Sequence, residues 1–173
     1  MPHPLHPAVV HFPLVLAVLL PFVAGVALLA SRRASSGRGP WMAVAAMAVL
    51  LSLSAWVAVE TGQGQEETVE GVVSEGAIHQ HEEAAEGLLL GSVLIAGLIL
   101  SGLAPGRVGK GARYISVPAA LVVLALAFRV GDSGGGLVYT HGAAAAYVGN
   151  GGGDRHVQPP SRSDEDDEEH ERR

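Results

Sequence analysis

The chain has no cysteine among its 173 residues. That excludes disulfides, thiolate chemistry, covalently attached c-type haem and cysteine-held iron–sulfur clusters. Aromatic residues are scarce, at 5%, which counts mildly against a haem pocket packed with Phe and Tyr. The most telling absence is of charge within four apolar runs, at residues 8–30, 41–59, 88–104 (extendable back to 84) and 114–130. Arg129, one residue from the end of the last run, is their only charged residue. A soluble four-helix bundle would need a polar stripe along each helix. Stretches such as LVLAVLLPFVAGVALLA and LLLGSVLIAGLILSGLA are instead apolar all round.

About 20 apolar residues cross a hydrocarbon core of roughly 30 Å as a helix. The expected fold is therefore all-α: an integral membrane four-helix bundle within residues 1–148, with spans at about 8–30, 41–59, 84–104 and 114–131. Residues 149–173 form an acidic, low-complexity tail that is expected to be disordered. The first run is not expected to be a cleaved signal peptide. No Lys or Arg precedes it, and it is too long for such a segment.

The two short links that share a side contain no acid. The first holds Arg32, Arg33 and Arg38, the second Arg107, Lys110 and Arg113. All 17 acidic residues lie on the other side. Basic loops stay cytoplasmic, so both termini and the central loop are expected outside, in a multi-pass protein of the inner or plasma membrane. The net charge of −6 argues against nucleic-acid binding, which requires a basic patch.

Local signals add detail. Pro13 and Pro21 lie inside the first span and predict a kink or widening near His11. Residues 65–73 suggest a short amphipathic surface helix, and Ser74 a capped start for a helix running through His79 and His81 into the third span. Residues 131–136 read as a flexible glycine-rich turn. Residues 137–148 read as an apolar segment lying back over the bundle mouth, with Tyr139 and Tyr147 as interfacial anchors.

Alternating crossings bring His3, His6, His11, His79, His81 and His141 to one end of the bundle. Intramembrane histidines are costly and mark candidate sites. His6 and His11 are five residues apart, about 140° around a helix, so one metal ion held by both is disfavoured. His79 and His81 point about 160° apart on a helix. His81 is favoured because Glu82, Glu83 and Glu86 follow it, and a carboxylate can hold the second ring nitrogen of a liganding histidine. His141 follows a glycine-rich approach that admits a flat or bulky ligand. Arg129 is placed to pair with Asp132 or Glu60, to neutralise haem propionates or to snorkel to the headgroups. His156 and His170 fall in the tail and are set aside.

The candidate cofactor ligands are thus His6, His11, His81 and His141, supported by Glu82, Glu86 and Arg129. Imidazoles at the ends of apolar helices suit b-type haem, one or two per chain. The expected role is an electron-transfer subunit rather than a catalyst, since no nucleophile–base arrangement is visible. It would exchange electrons with a quinone or another redox protein, as a homo-oligomer or within a larger membrane complex. A copper or zinc binding or transport protein is the alternative, although methionine clusters are missing. A structural or assembly subunit without cofactor is a third reading.

HPAVVHFPLVL resembles the opening of a family of small bacterial membrane proteins of unknown function, whose signature is HPxxVHFP followed by four transmembrane helices. ETGQGQEETVE, SEGAIHQHEEAAE and GGGLVYTHG continue the resemblance over about residues 3–148. By position it singles out His6, His11, His81 and His141. Residues 143–146 depart from it, with alanines where the pattern has Gly-Val. It implies the four-helix membrane fold and no activity.

Overall fold

The computed structural model describes residues 6–33 and 38–148. The elements are α1 (His6–Val9), α2 (His11–Arg33), α3 (Arg38–Gln63), α4 (Glu66–Val69), α5 (Glu75–Ser101), α6 (Gly106–Tyr139) and α7 (Ala145–Val148). No strand occurs among the described residues. Four stretches are long and apolar enough to cross a membrane: His6–Ser31, Arg38–Gln63, Glu75–Ser101 and Gly106–Tyr139. The protein is a four-span helical membrane protein.

The long helices surround one core in the ring order α2, α3, α5, α6, each packed against the helices before and after it. Small residues permit this closeness: Ala17, Ala24, Ala48, Ala55, Ala120 and Ala127 are all buried. Large side chains such as Phe12, Phe22, Leu94 and Phe128 point outward and meet lipid, as a bundle in hydrocarbon allows.

Trp41 locks the end of the bundle that carries Lys110 and Arg113. It is fully buried, and its indole N–H donates to the Ile99 carbonyl at 2.8 Å. Arg113, itself buried, lies 5.7 Å from the Trp41 ring and donates to the Gly102 carbonyl at 2.7 Å. Gly102 has no room for a side chain, because a Cβ there would overlap the Trp41 indole nitrogen.

The kink near His11 takes the form of a one-residue break at Val10 between α1 and α2. Pro13 cannot donate to the Val9 carbonyl, and the next amide, Leu14, reaches the Val10 carbonyl at a long 3.4 Å. The surface helix of the central loop shrinks to the single turn of α4, followed by turns to Val73. Ser74 stands at the N-cap of α5 with extended backbone, but its hydroxyl makes no capping bond. Its carbonyl starts the helix by accepting from Ala77 and Ile78.

One expectation is overturned. Residues 131–136 are not a flexible turn, because α6 runs through all of them to Tyr139. Glycine costs about 1 kcal/mol per helical position against alanine. Here burial of Val130 and the bond that His81 donates to Ser133 offset that cost, since both need this stretch to stay helical. The reversal comes later, at Gly142 with φ +69°. It folds Ala143 against Val73 and Ile78 in a small apolar cluster over the histidine end, so the segment does lie back over the mouth. His3 and the tail from residue 149, with His156 and His170, lie outside the described residues.

Candidate functional site

The structure brings two of the expected histidines together. His6, on α1, and His81, on α5, are both half-buried, with ring centres 6.3 Å apart and planes at 84°. Both line a cavity of about 480 Å³ at the histidine end. Its wall is largely apolar, with Leu14, Val69, Ile78 and Val130 on it.

The neighbours of each ring assign its tautomer. His6 Nδ1 lies 2.9 Å from the Ala58 carbonyl and 3.4 Å from Thr61 Oγ1. A carbonyl only accepts, so Nδ1 of His6 carries the proton and donates. His81 Nδ1 lies 2.9 Å from Ser133 Oγ, and the Ser133 hydroxyl donates its only proton to the Val130 carbonyl at 3.0 Å. Ser133 therefore accepts from Nδ1–H of His81. In the neutral rings Nε2 is left with a free lone pair on both. A histidine that donates from one nitrogen to a fixed acceptor is oriented to ligate a metal through the other.

The two seats are built alike. His6 packs on Gly62, where a Cβ would come within 3.0 Å of the ring, and His81 packs on Gly134, with the corresponding distance 3.1 Å. The Thr61 hydroxyl lies 2.8 Å from the Val57 carbonyl and 3.0 Å from that of Ala58, and the Ser133 hydroxyl 3.0 Å from that of Val130, so each is anchored on the preceding turn of its own helix. Sequence reasoning overlooked Ala58, Thr61, Gly62, Ser133 and Gly134. The signal was present as an acid–hydroxyl–glycine triplet, Glu60-Thr61-Gly62 and Asp132-Ser133-Gly134, at the same end of α3 and α6.

The other candidates stand apart. His11 lies on the cavity edge with its side chain exposed, turned from His6 by its helical phase and the break at Val10. His141 is exposed and lines a separate polar pocket of about 180 Å³ with Arg129, Asp132 and Ser133. Arg129 lines this pocket and not the histidine cavity. His79 is exposed and paired with Glu83 at 3.4 Å. Glu82 and Glu86 line the histidine cavity, but the partner of His81 Nδ1 is Ser133 and not a carboxylate. Glu66 lines the same cavity. No group of three or more metal-ligating His, Asp or Glu side chains occurs among the described residues.

The family model described as "Predicted membrane protein (DUF2231)" matches residues 2–146. The chain belongs to this family. The family has no established function, and its description says only that its members are predicted membrane proteins. No curated protein and no solved structure matches the chain.

Proposed function

We propose that this membrane protein is a b-type cytochrome-like electron carrier that holds one haem between His6 and His81. The observation that carries the reading is the pair itself. Two imidazoles, each tied down through Nδ1 and each keeping a free Nε2, share one largely apolar cavity. A porphyrin supplies four donors to iron and asks the protein for two axial ones. A bare zinc ion usually asks for three or four protein ligands, more than the described residues group together. With metal–nitrogen bonds of about 2 Å, two imidazoles on opposite sides of one metal have centres about 6 Å apart. The spacing here is 6.3 Å.

One haem per chain replaces the expectation of one or two, because His11 and His141 supply no second pair. In this reading the basic end faces the cytoplasm and the histidine end faces outside. The carrier takes electrons from a quinol or another membrane donor and passes them to an external acceptor, alone, as a homo-oligomer or within a larger complex.

A second reading has its own support. Glu66, Glu82 and Glu86 lie on the cavity wall with no Lys or Arg, a charge pattern that favours a cation such as copper or zinc over haem propionates. A reduced-minus-oxidised visible spectrum of detergent-purified protein, made with haem supply, separates the two. A sharp α-band near 560 nm, at one haem per chain, supports the haem reading. A flat spectrum from folded protein ends it. Elemental analysis of the same sample then decides between a metal ion and a bundle whose histidines are structural.

A further inference from the structure

The likeness of the two histidine seats extends to the whole chain. A shift of 75 residues, which carries His6 to His81, lays α2 on α5. Buried Ala17, Leu20 and Ala24 then fall on buried Ser92, Ile95 and Ile99. A shift of 72, which carries Gly62 to Gly134, lays α3 on α6. Buried Ala48, Leu51 and Ala55 then fall on buried Ala120, Val123 and Ala127. Thr61 falls on Ser133, and both hydroxyls are anchored on carbonyls of the preceding turn: Val57 at 2.8 Å and Ala58 at 3.0 Å for the first, Val130 at 3.0 Å for the second.

Packing obeys the same exchange. Swapping α2 with α5 and α3 with α6 turns every neighbouring pair of the ring into another neighbouring pair. Both hairpins cross in the same direction, so the operation is a two-fold rotation along the membrane normal. A residue that touches its own counterpart lies beside such an axis. Two pairs do so: His6 with His81 at one end, and Trp41 with Arg113 at the other.

We infer that the chain is a duplicated helical hairpin whose histidine site straddles the internal two-fold axis, that Gly62 and Gly134 are equivalent seats for His6 and His81, and that Nδ1 is held at the equivalent place by the Ala58 carbonyl in one half and by the Ser133 hydroxyl in the other. Each glycine clears the space its imidazole occupies. The Ser133 hydroxyl lies 2.9 Å from Nδ1 of His81; the Ala58 carbonyl takes that place 2.9 Å from Nδ1 of His6, with Thr61 Oγ1 further off at 3.4 Å. The two halves thereby present identical Nε2 donors to one shared ligand. This inference concerns the histidines themselves and stands whether or not the ligand is haem.

The test is NMR of the full chain in detergent micelles, labelled with ¹³C,¹⁵N-histidine and held under dithionite and EDTA. Imidazole nitrogen and carbon shifts report the tautomer, and His6→Gln and His81→Gln assign the signals. The native protein is expected to show both rings protonated on Nδ1. Ser133→Ala is expected to lose the fixed tautomer of His81 alone. Thr61→Val is expected to keep that of His6, because the Ala58 carbonyl still accepts. Gly62→Ala and Gly134→Ala are expected to shift only their own histidine, whereas Gly97→Ala, which has open space around it, shifts neither. Exchanging the hydroxyls, Thr61→Ser with Ser133→Thr, is expected to preserve both tautomers. An Nε2–H form of either ring in the native protein, or loss of a tautomer in the exchange variant, overturns the proposal. Should the glycine variants aggregate, Ser133→Ala and the exchange variant still decide it. None of these readings changes if the spectrum shows no haem.

Discussion

Replacing Trp41 by phenylalanine tests whether the end of the bundle remote from the histidines is held as the geometry implies. The substitution removes the indole N–H that donates to the Ile99 carbonyl. A neutral hydrogen bond contributes about 1 kcal/mol net. The carbonyl is not orphaned, since it also accepts from the Gly102 amide at 3.0 Å, so no further penalty is added. The smaller ring weakens the attraction to the Arg113 guanidinium, an interaction of about 1 kcal/mol. It also leaves a void at a fully buried position, costing about 1 kcal/mol on the scale of a deleted buried methylene. The expected loss is about 2–3 kcal/mol, measured by SDS-induced unfolding in mixed micelles and followed by far-UV circular dichroism. A double-mutant cycle with Arg113→Met should return a coupling of about 1 kcal/mol. A loss below about 0.5 kcal/mol in a variant of unchanged helicity would refute this account of the Trp41 contacts. His6 and His81 lie at the other end of the bundle, so their NMR signals should not move.

Four further outcomes are expected. His6→Ala and His81→Ala should each abolish binding of the proposed haem, whereas His11→Ala and His141→Ala should retain it; absorbance and metal content per chain report this. Gly102→Ala should lower the thermal midpoint in detergent far more than Gly97→Ala, because only the first places a methyl group into the Trp41 ring. His79→Ala should leave that midpoint unchanged, since its pairing with Glu83 is exposed on both sides and such pairs contribute little. The lack of native cysteine makes topology direct to read. With a membrane-impermeant maleimide on intact cells, Gly71→Cys should label and Lys110→Cys should label only after permeabilisation; the reverse pattern would invert the proposed orientation.

Much of the architecture was legible without coordinates, because hydrocarbon leaves a chain few options. A charge-free run of span length must close its backbone hydrogen bonds within itself, and four such runs must share a core. The number of crossings and the gathering of histidines at one end follow from that alone, as does the helix through His79 and His81 into the third span. The glycine run at 131–136 misled because glycine's local preference opposes helix. Packing of Val130 and Ser133 overrode it, an influence that no window of the sequence contains.

The histidine pair depended on helical phase and on contacts between distant segments. Proximity to the mouth made His6, His11, His81 and His141 look equivalent. The break at Val10 and the phase of α2 turn His11 outward, and the reversal near Gly142 carries His141 to another pocket. Among the described histidines, only His6 and His81 each meet a glycine and a hydroxyl on a neighbouring helix. The triplets at 60–62 and 132–134 recorded this in the sequence. The two halves, however, align with different shifts before and after the inter-helix link, and apolar alanine-rich helices resemble one another at almost any offset. Sequence alone determined that the chain crosses the membrane four times and gathers its histidines at one end, since solvation energy depends on composition and run length. The tertiary structure alone decided which two histidine rings come together and which ring nitrogen each keeps free, since that depends on the rotation of each helix about its axis and on the partners this places within hydrogen-bond reach.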